Sequence, residues 1–347
     1  MLFPRTETIL KSIVGEYITK AIPVPSEVIA RDYELGISPA TIRNEMAYLE
    51  QEGYISRPHP SAGSIPSDKG YRYYVESLKG VGLPLAERRL MSHLFHQVER
   101  ELEEWLSLSA TLIAQLVQNV AVVTVPRPVD CQFKYLELVA LQDSLALVVL
   151  VLRGARVKQQ LITFDAISQQ GLTAIANKLN AAYSGLTSAQ ILAKSIELSP
   201  SERQVRDCLI KIMQAEDELE YEKPYLDGLH FILNQPEFTH SQRMLALMEL
   251  VEHRSLLKTI VPRGLASHGV QVIIGKENKE EVIQAYSVVI CRYGLPKEAA
   301  GTIGVVGPTR MPYGRAISTV DFIASVLSEL VDELYGKQTP KNLDITD

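Results

Sequence analysis

Near the start of the chain, apolar residues recur at helical spacing in three successive stretches, each closed by its own stop signal. Residues 6–20 carry Ile9, Leu10, Ile13, Val14, Tyr17 and Ile18, a broad stripe that predicts a first packed helix. Ile22-Pro23-Val24-Pro25 ends it, because a residue before proline is driven out of helical geometry. Ser26 then caps a shorter helix running to Tyr33, with Val28, Ile29 and Ala30 apolar, and Gly36 supplies a turn. From Ser38 to Gly53 the chain reads SPATIRNEMAYLEQEG. Here Ser38 caps the start, Pro39 fits the first turn with its fixed φ, and Gly53 closes the end. Ile42, Met46 and Leu49 at i, i+4 and i+7 make one buried stripe.

The opposite face holds Ala40, Arg43, Asn44 and Ala47. Small alanines let a partner approach the backbone, and Arg and Asn carry the forked donors and acceptors that match guanine and adenine edges. The pattern is consistent with base readout in the major groove and with an ordinary solvated face. Downstream, residues 54–57 and 64–66 pair as two short strands around Pro58-His59-Pro60-Ser61-Ala62-Gly63, whose proline and glycine force a reversal. Helix, helix, turn, helix and ribbon together read as a winged helix-turn-helix. Next, Asp68-Lys69-Gly70-Tyr71-Arg72-Tyr73-Tyr74-Val75 sets cations among aromatics, which suits phosphate contact and equally suits a helix packed between domains.

Leu83-Pro84 marks a boundary, after which residues 85–120 predict long or paired helices carrying Leu90, Leu94, Val98, Leu102, Trp105 and Leu106. Pro126 and Pro128 break the chain before strands predicted at 133–142, 145–152 and 157–164. Further strands are predicted at 270–274 and 282–293, closed by Gly275 and Gly294, and at 302–306, ahead of a terminal helix at 317–334. Strands on both sides of a long helical stretch predict one α+β body with an insertion over about residues 165–224. Inside the insertion, residues 201–221 are amphipathic, with Val205, Leu209, Ile212, Met213 and Leu219 on one side and the acidic run Glu216-Asp217-Glu218-Leu219-Glu220. Such a helix either covers the sheet or meets another copy of the chain. Residues 225–233 and a helix at 242–251 return to the body.

Composition narrows the class. With 347 residues, 46% hydrophobic and 22% charged, the chain is long enough for two or three domains with real cores. The apolar run at 145–152 is far shorter than the roughly 20 residues of a membrane span, and Met1-Leu2-Phe3-Pro4-Arg5 does not begin a signal peptide, so a cytoplasmic protein with no membrane partner is expected. Cys131, Cys208 and Cys291 lie far apart with no CxxC, which predicts buried thiols. The net charge of −6 matters less than the local field, where Arg43, Arg57, Lys69, Arg72 and Lys79 stand against Glu45, Glu50, Glu52, Asp68 and Glu76. Modest non-specific affinity for DNA follows. His93 and His96 at i, i+3 have no third ligand nearby, so no metal or other cofactor is expected. HExxH, GxSxG and phosphate-loop motifs are absent, Gly301, Gly304 and Gly307 read as close strand packing and a turn, and no enzyme is expected.

The run SPATIRNEMAYLEQEGYI, the ribbon, PSDKGYRYYVESL and the later GTIGVVGPTRMPYGRAI closely resemble the HrcA family of bacterial heat-inducible transcription repressors. The resemblance implies a homodimer with a winged-helix head (1–80), a GAF-like body in two parts (84–164 and 225–341) and an inserted, mainly helical dimerising segment (165–224). It also implies a double-stranded DNA target, the CIRCE inverted repeat upstream of chaperonin and DnaK-type chaperone operons, and a GroE-type chaperonin as modulator. The expected DNA contacts are Ser38, Ala40, Thr41, Arg43, Asn44, Arg57, His59, Ser64, Lys69 and Arg72. The chain departs from the family pattern at Pro25, where glycine is usual, and at Ser64, where Arg is usual and whose side chain is expected to project toward the duplex. A metabolite-responsive regulator with the GAF-like body as sensor is the second reading.

Overall fold

The computed structural model describes residues 2–32, 36–59, 62–78, 80, 82–98, 101–127, 131–142, 144–153, 157–164, 167–218, 224–238, 245, 248–249, 256–261, 265, 269–295 and 299–335. Tyr33, Pro60, Ser61, Lys79, the 219–221 end of the amphipathic insert helix and most of the helix expected at 242–251 lie outside them. Helices and strands form two compact units, each with its own sheet.

The first unit begins with three helices, α1 (Pro4–Lys20), α2 (Ser26–Asp32) and α3 (Pro39–Gln51). Their core is the set the apolar spacing picks out: Ile9, Leu10, Ile13 and Val14 of α1, Ile29 of α2, and Ile42, Met46 and Leu49 of α3. Glu45 ties α3 to α1, accepting a 2.7 Å hydrogen bond from the Thr6 hydroxyl and pairing with Arg5. A two-residue ribbon follows, β1 (Ile55–Ser56) antiparallel to β2 (Ile65–Pro66), with Ile55 opposite Pro66. Helix α4 (Asp68–Ser77) is capped by the Ser67 hydroxyl, which accepts from the Gly70 N–H, and it buries Tyr71.

The rest of this unit is a five-stranded sheet with helices. After α5 (Leu85–Gln97) and α6 (Leu102–Val117), Gln118 takes a left-handed conformation (φ 57°) and the chain enters strand β3 (Val120–Val123). The expected helix therefore stops three residues short of Val120, and the VAVV run joins the sheet. Strands β7 (Tyr225–Asp227), β8 (Gln271–Ile274), β9 (Tyr286–Leu295) and β10 (Ala299–Pro308) complete it in the order β7-β3-β10-β9-β8. Strand β9 starts later than predicted because residues 281–283 form a 3-10 turn. All four residues of β3, and most of β9 and β10, are buried, as expected of strands covered on both faces. Short helices α10 (Leu229–Leu233) and α11 (Leu256–Ile260) precede β8, and the terminal helix α12 (Tyr313–Tyr335) buries Ala316, Val320, Ile323 and Leu327 at helical spacing.

The second unit, centred on Pro126–Glu222, corrects the expected boundaries. Strands β4 (Phe133–Gln142), β5 (Leu145–Leu152) and β6 (Val157–Thr163) do not join the body sheet; they form an antiparallel sheet of their own. What holds them together is a core of their own: Ala146, Val148, Leu150 and Leu152 on one face of β5 are buried with residues of α7 (Gln169–Tyr183), α8 (Ser188–Ala193) and α9 (Pro200–Glu218). The helices expected to make up an insert thus need those strands as their core partner, and the compact unit starts near residue 126 rather than 165. Helix α7 docks along β4 through side-chain amides that imitate a neighbouring strand. Asn180 accepts from the Leu136 N–H (2.7 Å) and donates to its carbonyl (2.9 Å), and Gln169 does the same for Ala140 N–H (2.7 Å) and the Leu138 carbonyl (2.9 Å). Of the two roles open to the amphipathic helix, the structure gives covering the sheet: Val205, Leu209, Ile212 and Met213 of α9 lie in this unit's core.

Candidate nucleic-acid interface

The exposed face of α3 is set by what the other face buries. Ser38 is extended (φ −70°, ψ 150°) and its hydroxyl accepts from the Thr41 N–H at 3.2 Å, which fixes where the helix begins. With Ile42, Met46 and Leu49 inward, Ser38, Ala40, Arg43, Asn44 and Ala47 are exposed, and Thr41 is half-buried with its hydroxyl 3.0 Å from that of Ser38. Tyr48 is also exposed (41%), an aromatic on this surface that the sequence reading passed over because it lies between the two stripes. Arg43 reaches back to α2, pairing with Glu27 and donating from Nε to the Ser26 hydroxyl at 3.3 Å.

Other expected contacts divide. Arg57 is exposed and its Nε lies 3.3 Å from Glu50, and His59 is exposed on the loop after β1. Lys69 is exposed but anchored: its ammonium donates to the Glu52 carbonyl at 2.6 Å, just past the end of α3, and lies 4.1 Å above the Tyr54 ring.

Ser64 and Arg72 are not where the sequence reading puts them. Ser64 is fully buried, with its N–H and C=O each making a 2.9 Å hydrogen bond to Val24. Gly63 permits this approach, since a Cβ there would overlap the main chain of Pro23 and Val24. The Ser64 hydroxyl therefore does not project outward; it is buried without a hydrogen-bond partner. Ser64→Ala is expected to leave DNA affinity and its salt dependence unchanged and to leave stability unchanged or slightly raised, because an unpaired buried hydroxyl is removed. Weaker binding with a shallower salt slope in a titration would overturn this placement.

Arg72 faces the body. It pairs with Glu277 through Nε and Nη2 and donates from Nη2 to the Val272 carbonyl at 2.7 Å. Beside it, Asp68 accepts from the Lys276 N–H at 2.9 Å, and the Asp68 carboxylate fills the space above Gly275, whose φ is +51°. Asn278 holds the 275–277 turn from beneath, its amide 2.8 Å from the Gly275 carbonyl and 3.0 Å from that of Tyr286. Tyr71 meets Tyr313 with ring centroids 5.8 Å apart, and Arg310 pairs with Glu237 while reaching the Ile18 carbonyl at 3.3 Å. Burial acts to raise the Glu277 carboxyl, but hydrogen bonds from Arg72 and the Ile274 N–H, with the Arg72 charge, hold it below the usual range. Burial pushes the Tyr313 hydroxyl well above that of a free tyrosine. Through Asp68, Tyr71 and Arg72, helix α4 is thus a packing element, while its Lys69 stays exposed. The two stretches PSDKGYRYYVESL and GTIGVVGPTRMPYGRAI meet at this seam.

Among the described residues no three metal-ligating side chains cluster, and no helix is long and apolar enough to cross a membrane. His96 approaches the Ser92 carbonyl (2.6 Å) and His93 approaches Gln97 (2.9 Å). All three cysteines are buried.

Comparison with known proteins places these features in a family. The family model described as the HrcA protein C-terminal domain matches residues 103–317. A heat-inducible transcription repressor HrcA from Dehalococcoides mccartyi is 56% identical over 97% of this chain and 98% of its own length. The repressors of the same name from Roseiflexus castenholzii and Herpetosiphon aurantiacus are 41% and 40% identical, each over 96% of both chains. A solved structure titled as that of a hypothetical protein superposes with a TM-score of 0.63 at 22% identity, covering 96% of this chain and 99% of its own, so the fold extends through the whole length. The chain belongs to the HrcA family of heat-inducible transcription repressors.

Proposed function

We propose that the chain represses heat-shock chaperone operons by binding the CIRCE inverted repeat as a homodimer, with α3 of each copy in the major groove. The observation that carries the reading is the α3 surface, where Ala40, Arg43, Asn44 and Ala47 stand exposed opposite the buried Ile42, Met46 and Leu49. Helices α1–α3 with the β1–β2 ribbon support a winged-helix head. The five-stranded antiparallel sheet supports a GAF-like body, because its strands, counted within the body alone, run second, first, fifth, fourth, third. Arg57 and His59 near the ribbon, and Lys69 of α4, whose ammonium lies just past the end of α3, are proposed phosphate contacts; Ser64 and Arg72 are not. Arg43→Ala and Asn44→Ala are each expected to weaken specific binding by about 1–3 kcal/mol with the melting temperature unchanged. Operator titration beside thermal melting checks this, and lost stability without lost specificity would place them in the core instead.

Dimerisation is assigned to the second unit's open sheet face. Opposite its core, Leu147 of β5 lies between Val139 and Leu161, and Val151 lies between Tyr135 and Val157. Tyr135, Val139, Leu141, Val157 and Leu161 are exposed, the last by 56%. Over the seven-residue length of β6, the shortest of the three, the strands present on the order of 300 Å² of such surface, as much as a monomer usually leaves open. Glu137, bonded by the Tyr135 hydroxyl at 2.7 Å, is the acid on this side of β4, so a two-fold contact sets apolar rows against apolar rows. Location in the cytoplasm and control by a GroE-type chaperonin are proposed from family membership alone.

A further inference from the structure

We propose that Glu27 and Ser26, at the start of α2, are positioning residues that hold one edge of the Arg43 guanidinium so that its other edges are presented to a guanine. The inference rests on the reading of α3 as the groove-bound helix and adds to it how that helix is made ready. A guanidinium carries five N–H donors in one rigid plane. In this chain the Nε hydrogen goes to the Ser26 hydroxyl at 3.3 Å and one Nη2 hydrogen to the Glu27 carboxylate. Both lie on the same edge of the fork. The remaining Nη2 hydrogen and the Nη1 pair form the end of the fork, the geometry that meets O6 and N7 of guanine.

Arg43 remains 63% exposed at its side chain although it is held at two points, so the restraint orients it without hiding it. Ser26 is itself buried, so the hydroxyl that Arg43 reaches is set into the protein. The hydrogen bond from Arg43 holds the Glu27 carboxyl below its usual range, so Glu27 stays ionised at neutral pH. An unrestrained arginine loses rotamer freedom when it docks on a base; one already ordered loses less. Glu27 also places a negative charge near the proposed phosphate path, where it opposes non-specific association. Orientation favours specific DNA alone, whereas repulsion weakens specific and scrambled binding alike, which separates the two.

The test uses the full chain carrying Glu27→Gln, Arg43→Ala or both, titrated against the CIRCE inverted repeat and a scrambled duplex of equal length. Glu27→Gln is expected to weaken specific binding about 3–10-fold while scrambled binding is unchanged or tighter, and to cause no further loss once Arg43 is alanine. Ser26→Ala, which removes the longer of the two bonds, is expected to act in the same direction and less. Tightening of both duplexes alike by Glu27→Gln would show a repelling charge only and overturn the proposal. So would an equal loss with and without Arg43, which marks a structural role in α2, or an unchanged specific affinity for Glu27→Gln while Arg43→Ala loses it. If Arg43→Ala itself binds normally, the reading of α3 falls first and the inference with it.

Discussion

Gly275→Val is expected to destabilise the chain by about 3 kcal/mol and to loosen α4 from the 275–277 turn, since a β-branched side chain at positive φ is strained and overpacking adds its own penalty. Gly275 has φ +51° and its missing Cβ leaves the space that the Asp68 carboxylate fills. Any side chain must displace Asp68, which breaks the bond from the Lys276 N–H and disturbs the adjacent Arg72–Glu277 pair. The steric and conformational parts can be separated. Gly275→Ala alone should cost about 1–3 kcal/mol, and adding Asp68→Ala should recover part of it, because the clash goes while the backbone strain stays. Thermal melts of both Gly275 variants, of Asp68→Ala and of the Gly275→Ala/Asp68→Ala pair check this. Purely additive losses would mean that Asp68 and Gly275 do not share that space.

If the proposed dimer forms through the second unit's sheet, Leu147→Asp is expected to leave a folded monomer. Leu147 lies on the central strand of the second unit's sheet, between Val139 and Leu161 and on the face away from α7 and α9. In an isolated chain the residue is only partly buried, so the change costs less there than in a fully covered site. In a two-fold contact each carboxylate would enter an apolar interface facing its own symmetry copy. Leaving a charge uncompensated in such a place costs about 3–5 kcal/mol, enough to lower dimer affinity by two orders of magnitude or more. Sedimentation should show a monomer with an unaltered circular dichroism spectrum, and operator binding should fall to half-site strength. A variant that stays dimeric would move the interface off this sheet.

How much of this could be read from residues alone depended on how local the determining interaction was. The rotation of α3 follows from Ile42, Met46 and Leu49 and needs nothing else, so its exposed face was legible. Strands β4 and β5 were placed to the residue because alternation along one strand is a local signal. Which sheet they join was not, since pairing is made with distant chain and the same alternation serves either sheet. Strand β3 was hidden because four apolar residues separated from α6 by only two positions read as more helix. Arg72 could be taken for a phosphate ligand because its partner Glu277 is 205 positions away. Ser64 turned inward for a reason invisible in its own type: Gly63 lets the chain press against Val24. The signal that might have found the seam was the unusual mix of Asp68, Tyr71 and Arg72 on one helix, which serves a polar contact with protein as well as it serves phosphate.

Whether two copies of α3 read an inverted repeat, as proposed, is decided by equilibrium binding of the full chain to the CIRCE duplex and to a scrambled duplex at two salt concentrations. Two chains are expected per repeat, with a preference for the repeat of about 1,000-fold or more that persists at the higher salt, while both affinities fall together as counterions are released. Equal affinities for the two duplexes, with the same salt slope, would show attraction to the phosphate backbone alone and contradict the proposal.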